Sequence, residues 1–505
     1  MVQELFTAPF WFSVMLGNQA MDTLELTDRE REDAIRSCSR EGTPLDAAII
    51  NGKPLRSAAG LEKAIGRAGA QSVIVIGGDY SGEDMRPLAP LLKGGCITSA
   101  QMPETDWRTS DLSGTRFHRV DLSGAKLGQA LLEDANFVGV RVSHADFSEA
   151  MARGAIFDAT YGQSDFEDVR FDRAMLAGAR FNCGITVDAW CRSSESASFV
   201  EADLSGADIS SFGVWTQERY RDARLDGTII APRSVSALNL ADFAGPVVLK
   251  AEQAGGGTDA VTARISAREL RWLVIETLAQ VETEPSFKCR DATTTVEKII
   301  CEEYMMDLRS SDRDMAKLFA EARAAGKADL AGQRRWLAKR NRCTDAECLR
   351  ASYDKRIDQL FAALGERLIL APDQSVTYHD DVLPLPASMR GEELYKRILP
   401  VLKDAAWGHA TLTGREDGTI AAEGFALGGN AHMCGMGIPE AALDPETGWY
   451  SATNSDGKRV PLFRIWGDRF IPRYSGNLGN TPQEVMDFIS CGARAGFGEM
   501  RNLEG

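Results

Sequence analysis

The residues best suited to chemistry in this chain are ten cysteines and five histidines. The cysteines are Cys38, Cys96, Cys183, Cys191, Cys289, Cys301, Cys343, Cys348, Cys434 and Cys491. Their number is even, and neither a C-x-x-C ribbon nor a Cys/His alternation at zinc spacing occurs. Reduced cysteines are usually small buried hydrophobes. Several of these stand instead in polar, loop-like sequence, as at Cys191 and Cys343, so disulfides in an oxidising compartment (periplasm or cell surface) are the expectation. Of the histidines, His118 and His144 occupy corner-type positions of a repeat and are expected to be exposed. His379 stands apart, while His409 and His432 share the last module and are close enough in sequence to approach each other. No third ligand stands at metal spacing, so no metal site or cofactor is assigned. A Cys434–His432 nucleophile pair would need a thiol that a bond to Cys491 removes. Neither G-x-S-x-G nor H-E-x-x-H occurs, and no catalytic residue is assigned.

The elements that must position these residues come from a chain too long for one core. At 505 residues, roughly three or four domains are expected. A net charge of −16 argues against a general nucleic-acid binder, which needs clustered cations facing phosphates. It leaves a basic partner, or an acidic surface that imitates nucleic acid. The apolar run Ala8–Leu16 is short and preceded by Glu4, so it reads as a buried segment and any signal peptide as removed or absent. No stretch approaches the roughly 18 apolar residues of a membrane span.

Large apolar residues recur every five positions: Leu112, Phe117, Leu122, Leu127, Leu132, Phe137, Val142, Phe147 and, after a lapse at Ala152, Phe157. Alanine often precedes them by two (Ala125, Ala130, Ala135, Ala145, Ala155). The frame slips by one, resumes at Phe166, Phe171, Leu176 and Phe181, and returns at Phe199, Leu204 and Ile209. A period of five fits neither helix nor strand; it fits a chain that turns a corner every five residues. Ala202-Asp-Leu-Ser-Gly206, Ala135-Asn-Phe-Val-Gly139 and Ala145-Asp-Phe-Ser-Glu149 make this region resemble the pentapeptide-repeat family. That resemblance implies a right-handed quadrilateral β-helix with four pentapeptides per coil. Residues 1–95 are expected to form an α/β cap with helices Arg29–Cys38 and Ala58–Ala68 and strand Ser72–Ile76, pinned by Cys38 to Cys96. Gly77-Gly78 reads as a plain turn rather than a phosphate loop. Cys183 and Cys191 bracket an excursion that a disulfide would close.

Further on, Ser266-x-x-Glu269 is a capping box leading a helix with Leu270, Leu273, Val274, Leu278 and Val281 on one face. Residues 285–366 read as a small helical module: a stripe Ile300, Tyr304, Leu308, Met315, Phe319, a break at Gly326, a run through Trp336 and Arg340, and a third helix through Leu349, Tyr353, Ile357 and Leu360. Phe287-x-Cys289, Glu297-x-x-Ile300-Cys301, Gln333-x-x-Trp336, Arg340-x-x-Cys343, Cys348-Leu349 and Tyr353-x-x-Arg356-Ile357 resemble the lysozyme-inhibitor LprI family of bacterial envelope proteins. Asn341 departs from the acidic residue many relatives carry. The resemblance implies an envelope location and, as partner, a lysozyme or other peptidoglycan-cleaving enzyme. The module holds 16 basic and 13 acidic residues over 285–365, a poor electrostatic match for a cationic lysozyme, whereas residues 110–230 hold 12 and 19.

The expected fold class is multidomain α+β: cap 1–95, β-helix 96–230, a capping or linking segment with a helix 231–284, the four-cysteine helical domain 285–366, and a small α+β domain 385–505. In the last, helix Glu392–Leu402, strands Thr419–Phe425, Gly448–Ala452 and Leu462–Trp466 and a closing helix Pro482–Ile489 are predicted, with Cys434 and Cys491 tying sheet to helix. Binding residues are sought at Trp336, Arg340, Asn430, His432 and Arg494. For Trp336 and Arg340, helix packing and a salt bridge are the favoured reading over a binding role. The function read from the sequence is a non-catalytic extracytoplasmic binding or scaffold protein. The alternatives are a cytosolic acidic β-helix that mimics nucleic acid on a topoisomerase, and a hydrolase using the C-terminal His and Cys residues.

Overall fold

Four ladders of parallel backbone pairing run up the repeat. Gln101↔Asp121↔Arg141, Asp106↔Lys126↔Asp146, Asp111↔Leu131↔Met151 and Arg116↔Asn136↔Ile156 each rise by 20 residues per rung, and neighbouring ladders are offset by five. The chain therefore visits all four before it stacks on itself, which is why a period of five shows in the sequence. The computed structural model describes residues 25–39, 46–158, 163–183, 190–192, 196–212, 216–251, 260–280, 283–365, 368–428, 432–474, 481–492 and 495–504, with backbone alone at 163–164 and 190–192. They form two units: the described residues within 1–184, 188–230 and 240–247, and those within 231–239 and 248–505.

In the first unit, α1 (Asp28–Ser37), β1 (Ala48–Asn51), α2 (Ala58–Ala68), β2 (Val73–Ile76) and a single turn α3 (Ala89–Leu92) precede the repeat. The strands β3 (Cys96–Thr98), β4 (Arg116–His118), β5 (Asn136–Val138), β6 (Ile156–Asp158) and β8 (Arg180–Asn182) continue the parallel sheet begun by β1 and β2. β7 (Gln163–Asp165) and β9 (Trp190–Arg192) pair with each other in the two excursions, and β10 (Ile229–Ile230) ends the series. The excursions lengthen the rung from 20 to 24 residues (Met151↔Met175) and then to 28 (Met175↔Asp203). That is the physical content of the frame slip. The ladders also run on to Asp79↔Gln101 and Asp84↔Asp106, where Tyr80 and Met85 take the inward position.

Every fifth large side chain from Leu112 to Phe157, Ala152 included, is buried. Phe117, Phe137, Phe157 and Phe181 stack at centroid spacings of 5.1, 4.8 and 4.8 Å. Phe147, Phe171, Phe199 and Tyr220 form a second column at 5.0, 5.2 and 5.7 Å. The columns meet edge to face, as at Phe147–Phe157. Corners are left-handed: Thr109, Arg119, Gln129 and Glu149 have φ of 60, 53, 60 and 60°, and Gly114 and Gly124 take the same place at 67°. Only glycine enters that region without strain, which accounts for its recurrence in the motif. The motif's aspartate holds the turn, since Asp121 Oδ1 accepts from the Ser123 amide at 2.9 Å and from its hydroxyl at 2.6 Å.

In the second unit β11 (Val247–Lys250) pairs with β12 (Thr262–Ile265), and α4 (Ala267–Gln280) follows from the Ser266–Glu269 capping box. The helical module comprises α5 (Thr295–Ile300), α6 (Met306–Ala324), α7 (Leu330–Arg340) and α8 (Ala346–Leu364). Here the single stripe predicted from Ile300 to Phe319 breaks. The chain turns between α5 and α6, and Tyr304 is 86 % exposed. The turn is held because Arg309 donates to the carbonyls of Ile300, Cys301 and Glu302.

The last module, read from the sequence as a small α+β domain, is built on a closed antiparallel barrel. Its strands are β13 (Ser375–Asp380), β14 (Gly408–Gly414), β15 (Ile420–Leu427), β16 (Met433–Leu443), β17 (Tyr450–Thr453), β18 (Arg459–Trp466), β19 (Arg469–Pro472) and β21 (Met500–Arg501). Each pairs with its neighbours around the ring, β15 with β16 and β21 with both β13 and β19. β20 (Ile489–Cys491) adds to β16, and α9 (Glu393–Asp404) precedes β14. The closing helix predicted over Pro482–Ile489 is instead one 3₁₀ turn, Gln483–Val485, followed by β20. Pro482 starts the turn, and Ile489 leaves it to pair with Met436 of β16. The interior is filled by Tyr378, Leu412, Met436, Ile438, Val460, Phe463 and Phe470.

Disulfides join Cys38–Cys96, Cys289–Cys301, Cys343–Cys348 and Cys434–Cys491. Cys183 is disulfide-bonded as well, and the Cys191 side chain lies outside the described residues.

Candidate functional site

In β2, β3 and β4 the side chains Val75, Ile97 and Phe117 point into the coil, so Ile74, Ile76, Cys96, Thr98 and His118 face outward by the strand period of two. Helix α1 lies on that outer face. Its Ala34 and Cys38 pack against Ile74, Ile76 and Cys96, and the Cys38–Cys96 bond pins it there. Thr27 and Glu30 form a full capping box at its start.

Beside this contact lies a cleft of 860 Å³. One wall is the side of α1 that carries Thr27, Glu30, Asp33 and Ser37. The other follows the carboxyl ends of the strands: Lys53 and Arg56 after β1, Gly77-Gly78-Asp79 after β2, Ser99 and Gln101 after β3, Arg119 after β4. Thr98 and His118 form the floor, 5 % and 7 % exposed, with His118 Nδ1 3.2 Å from the Thr98 hydroxyl. His118 was expected at an exposed corner; the left-handed corner is Arg119, one residue on, and His118 is buried on the outer face of the sheet. Burial, helped by the charges of Arg119 and Arg116, pushes its imidazole down to about 4, so the ring is neutral near neutral pH. A hydrogen bond from Lys53 and one from the Thr27 backbone hold the Glu30 carboxyl below the ordinary range. Gly77-Gly78 does not cradle phosphate, because the Gly77 amide donates to Thr98 O and that of Asp79 to Leu55 O. These glycines serve close packing, since a Cβ on Gly78 would lie 2.4 Å from the Tyr80 hydroxyl oxygen.

The residues singled out in the sequence lie elsewhere. Arg340 is buried and pairs with Asp312 at 3.4 Å, and Trp336 packs edge-on to Tyr353 with Arg340 and Arg356 over its ring. His432 packs over Gly492 beside the Cys434–Cys491 bond, which takes up the Cys434 thiol. Asn430 and Arg494 lie outside the described residues. His409 does not meet His432; it stands across the strand pair from His379, their rings 6.5 Å apart. Register decides this, because β13 and β14 align those two residues. His144 is an exposed corner, 3.7 Å from Asp168. Among the described residues no group of three His, Cys, Asp or Glu side chains could hold a metal ion, and no helix is long and apolar enough to cross a membrane. Nothing in the sequence marked the cleft except Cys96 and His118 on adjacent strands, a signal visible only once the register is known.

Outside the cleft, several of the coil's charges pair between rungs. Arg141 meets Asp121, Arg170 meets Asp146 and Arg173 meets Glu149, each at 2.8 Å. The family model described as "Pentapeptide repeats" matches in eight copies, with residues 97–129 matched. This segment carries pentapeptide repeats. The pentapeptide-repeat coil is similar to solved structures as well. QnrB1, a plasmid-mediated fluoroquinolone resistance protein, is 19 % identical over 34 % of this chain and 86 % of its own, with a TM-score of 0.21. HetL, involved in heterocyst differentiation regulation in the cyanobacterium Nostoc, is 20 % identical over 34 % and 80 %, with a TM-score of 0.13. A pentapeptide repeat protein of the Arabidopsis thaliana thylakoid lumen is 20 % identical over 25 % and 72 %, with a TM-score of 0.12. No curated protein matches the chain.

Proposed function

We propose that this protein is a non-catalytic binding scaffold that works outside the cytosol, its repeat a right-handed quadrilateral β-helix. The observation that carries this reading is the spread of disulfides over the coil, the helical module and the barrel. Such bonds persist in oxidising compartments and are rare where thiols are kept reduced. A coil packed solid by two aromatic columns, and a barrel whose interior is apolar side chains, offer rigid outer faces rather than a reaction chamber. Binding a protein partner in the cell envelope is the role such faces suit. The helical module's resemblance to the LprI family makes a peptidoglycan-cleaving enzyme the sharpest choice of partner. Two measurements test the two levels separately. Fusing the protein to a phosphatase active only after export reports its compartment, and a silent fusion of the whole natural reading frame overturns that placement. A lysozyme rate undiminished at large molar excess of this protein removes the inhibitor reading alone.

The nucleic-acid mimic is the weaker reading. A mimic must present unpaired carboxylates at phosphate-like spacing, whereas Asp121, Asp146 and Glu149 face arginines of the next rung.

A further inference from the structure

We propose that the cleft beside α1 binds a small zwitterion of the amino-acid or short-peptide type. This stands apart from the scaffold reading and from any protein partner. The volume of 860 Å³ falls within the roughly 300–1,000 Å³ of ligand pockets. The floor is polar yet shut away from water: Thr98 and His118 are each more than nine-tenths buried and line the cleft. Their mutual contact at 3.2 Å satisfies Thr98 Oγ1 and His118 Nδ1 and fixes the ring, so the floor is a preorganised polar surface.

The walls decide the class of ligand. Glu30 and Asp33 of α1 line one wall, and Arg56, Arg119 and Asp79 line the strand-end wall, where Arg56 Nη1 donates to the carbonyls of Lys53 and Leu55 at 2.6 and 3.0 Å. Glu30 is engaged by Lys53 at 2.7 Å and Asp79 by the Ser81 hydroxyl at 2.6 Å, so Asp33, paired only loosely with Arg29 at 3.9 Å on an exposed helix face, is the carboxylate most open to a ligand. Exposed pairs of that kind are worth little and yield readily. A simple anion would face Asp33, and a simple cation would face Arg119. Only a ligand carrying both signs complements both walls. The neutral His118 ring adds hydrogen bonding without favouring either sign. The ligand's carboxylate is assigned to Arg56 and Arg119, and its ammonium to Asp33.

The test is calorimetric titration of the full chain with alanyl-alanine and the free amino acids. The same dipeptide with its amine acetylated, or its carboxyl amidated, serves as control. The expected result is saturable binding that falls at least roughly tenfold when either end is blocked. Arg119→Gln and Asp33→Asn, both at exposed positions, should each weaken it by a similar factor with an unchanged melting temperature. The proposal is overturned if no zwitterion binds at millimolar concentration. It is equally overturned if blocked and open dipeptides bind alike, or if neither variant changes the affinity.

Discussion

The Tyr353 hydroxyl donates to Asp312 Oδ1 at 2.6 Å and itself accepts from Arg340 at 2.8 Å. All three side chains are buried, and the Ser286 amide adds a further hydrogen bond to Asp312 at 2.8 Å. The Q-x-x-W-x-x-x-R run thus serves an internal charge network that joins α6, α7 and α8. Removing one member of such a network strands the others. Asp312→Ala is expected to cost about 3–5 kcal/mol, because Arg340 is left buried and unpaired. Tyr353→Phe should cost only about 1–2 kcal/mol. Urea denaturation of the two variants checks the order, and equal losses would contradict it.

Phe157 sits between Phe137 and Phe181, 4.8 Å from each, and touches the second column edge-on. Phe157→Ala should destabilise the coil by about 3–5 kcal/mol, through lost burial and the cavity left between rigid rungs. Phe157→Leu should cost less, since it keeps most of the volume. Thermal unfolding followed by far-UV circular dichroism gives the comparison.

The bonds Cys38–Cys96 and Cys343–Cys348 span 58 and 5 residues. Loop closure in the unfolded chain predicts about 4 kcal/mol lost on replacing the first pair by serine and about 2 for the second. Maleimide labelling of the native protein should proceed only after reduction. Ten freely reactive thiols without reductant would end the disulfide reading.

The buried His118 ring ionises near pH 4 in the folded protein and near 6.5 in the unfolded chain. The unfolded state therefore takes up a proton first as the medium acidifies. The stability present above pH 6.5 is lost progressively down to about 4, by up to about 3 kcal/mol. His118→Gln should flatten the fall in melting temperature between those limits. His379 contributes in the same direction, its ring also pushed down to about 4 by burial and by Lys403 and His409. The double variant should therefore be flatter still, and an unaltered pH profile would show that neither ring is held neutral.

Much of the coil was legible because its rule is local. Each corner needs a left-handed residue, each inward place a large or small apolar one, and neither depends on distant partners. The capping box at Ser266–Glu269 was readable for the same reason. Tyr80 and Met85 were not, since the rung they belong to lacks the Ala-Asp-Leu pattern and is recognised only by its pairing. The closed barrel was hidden because closure depends on β21, two residues long, bridging β13 and β19.

What the amino-acid order determined alone is periodic: which side chains turn inward along the repeat, and where helices start. The tertiary structure decided which residues meet. Thr98 and His118 come together across 20 residues, and a disulfide spanning 58 residues pins α1 beside them, because pairing register and that bond fix distances that no local pattern encodes.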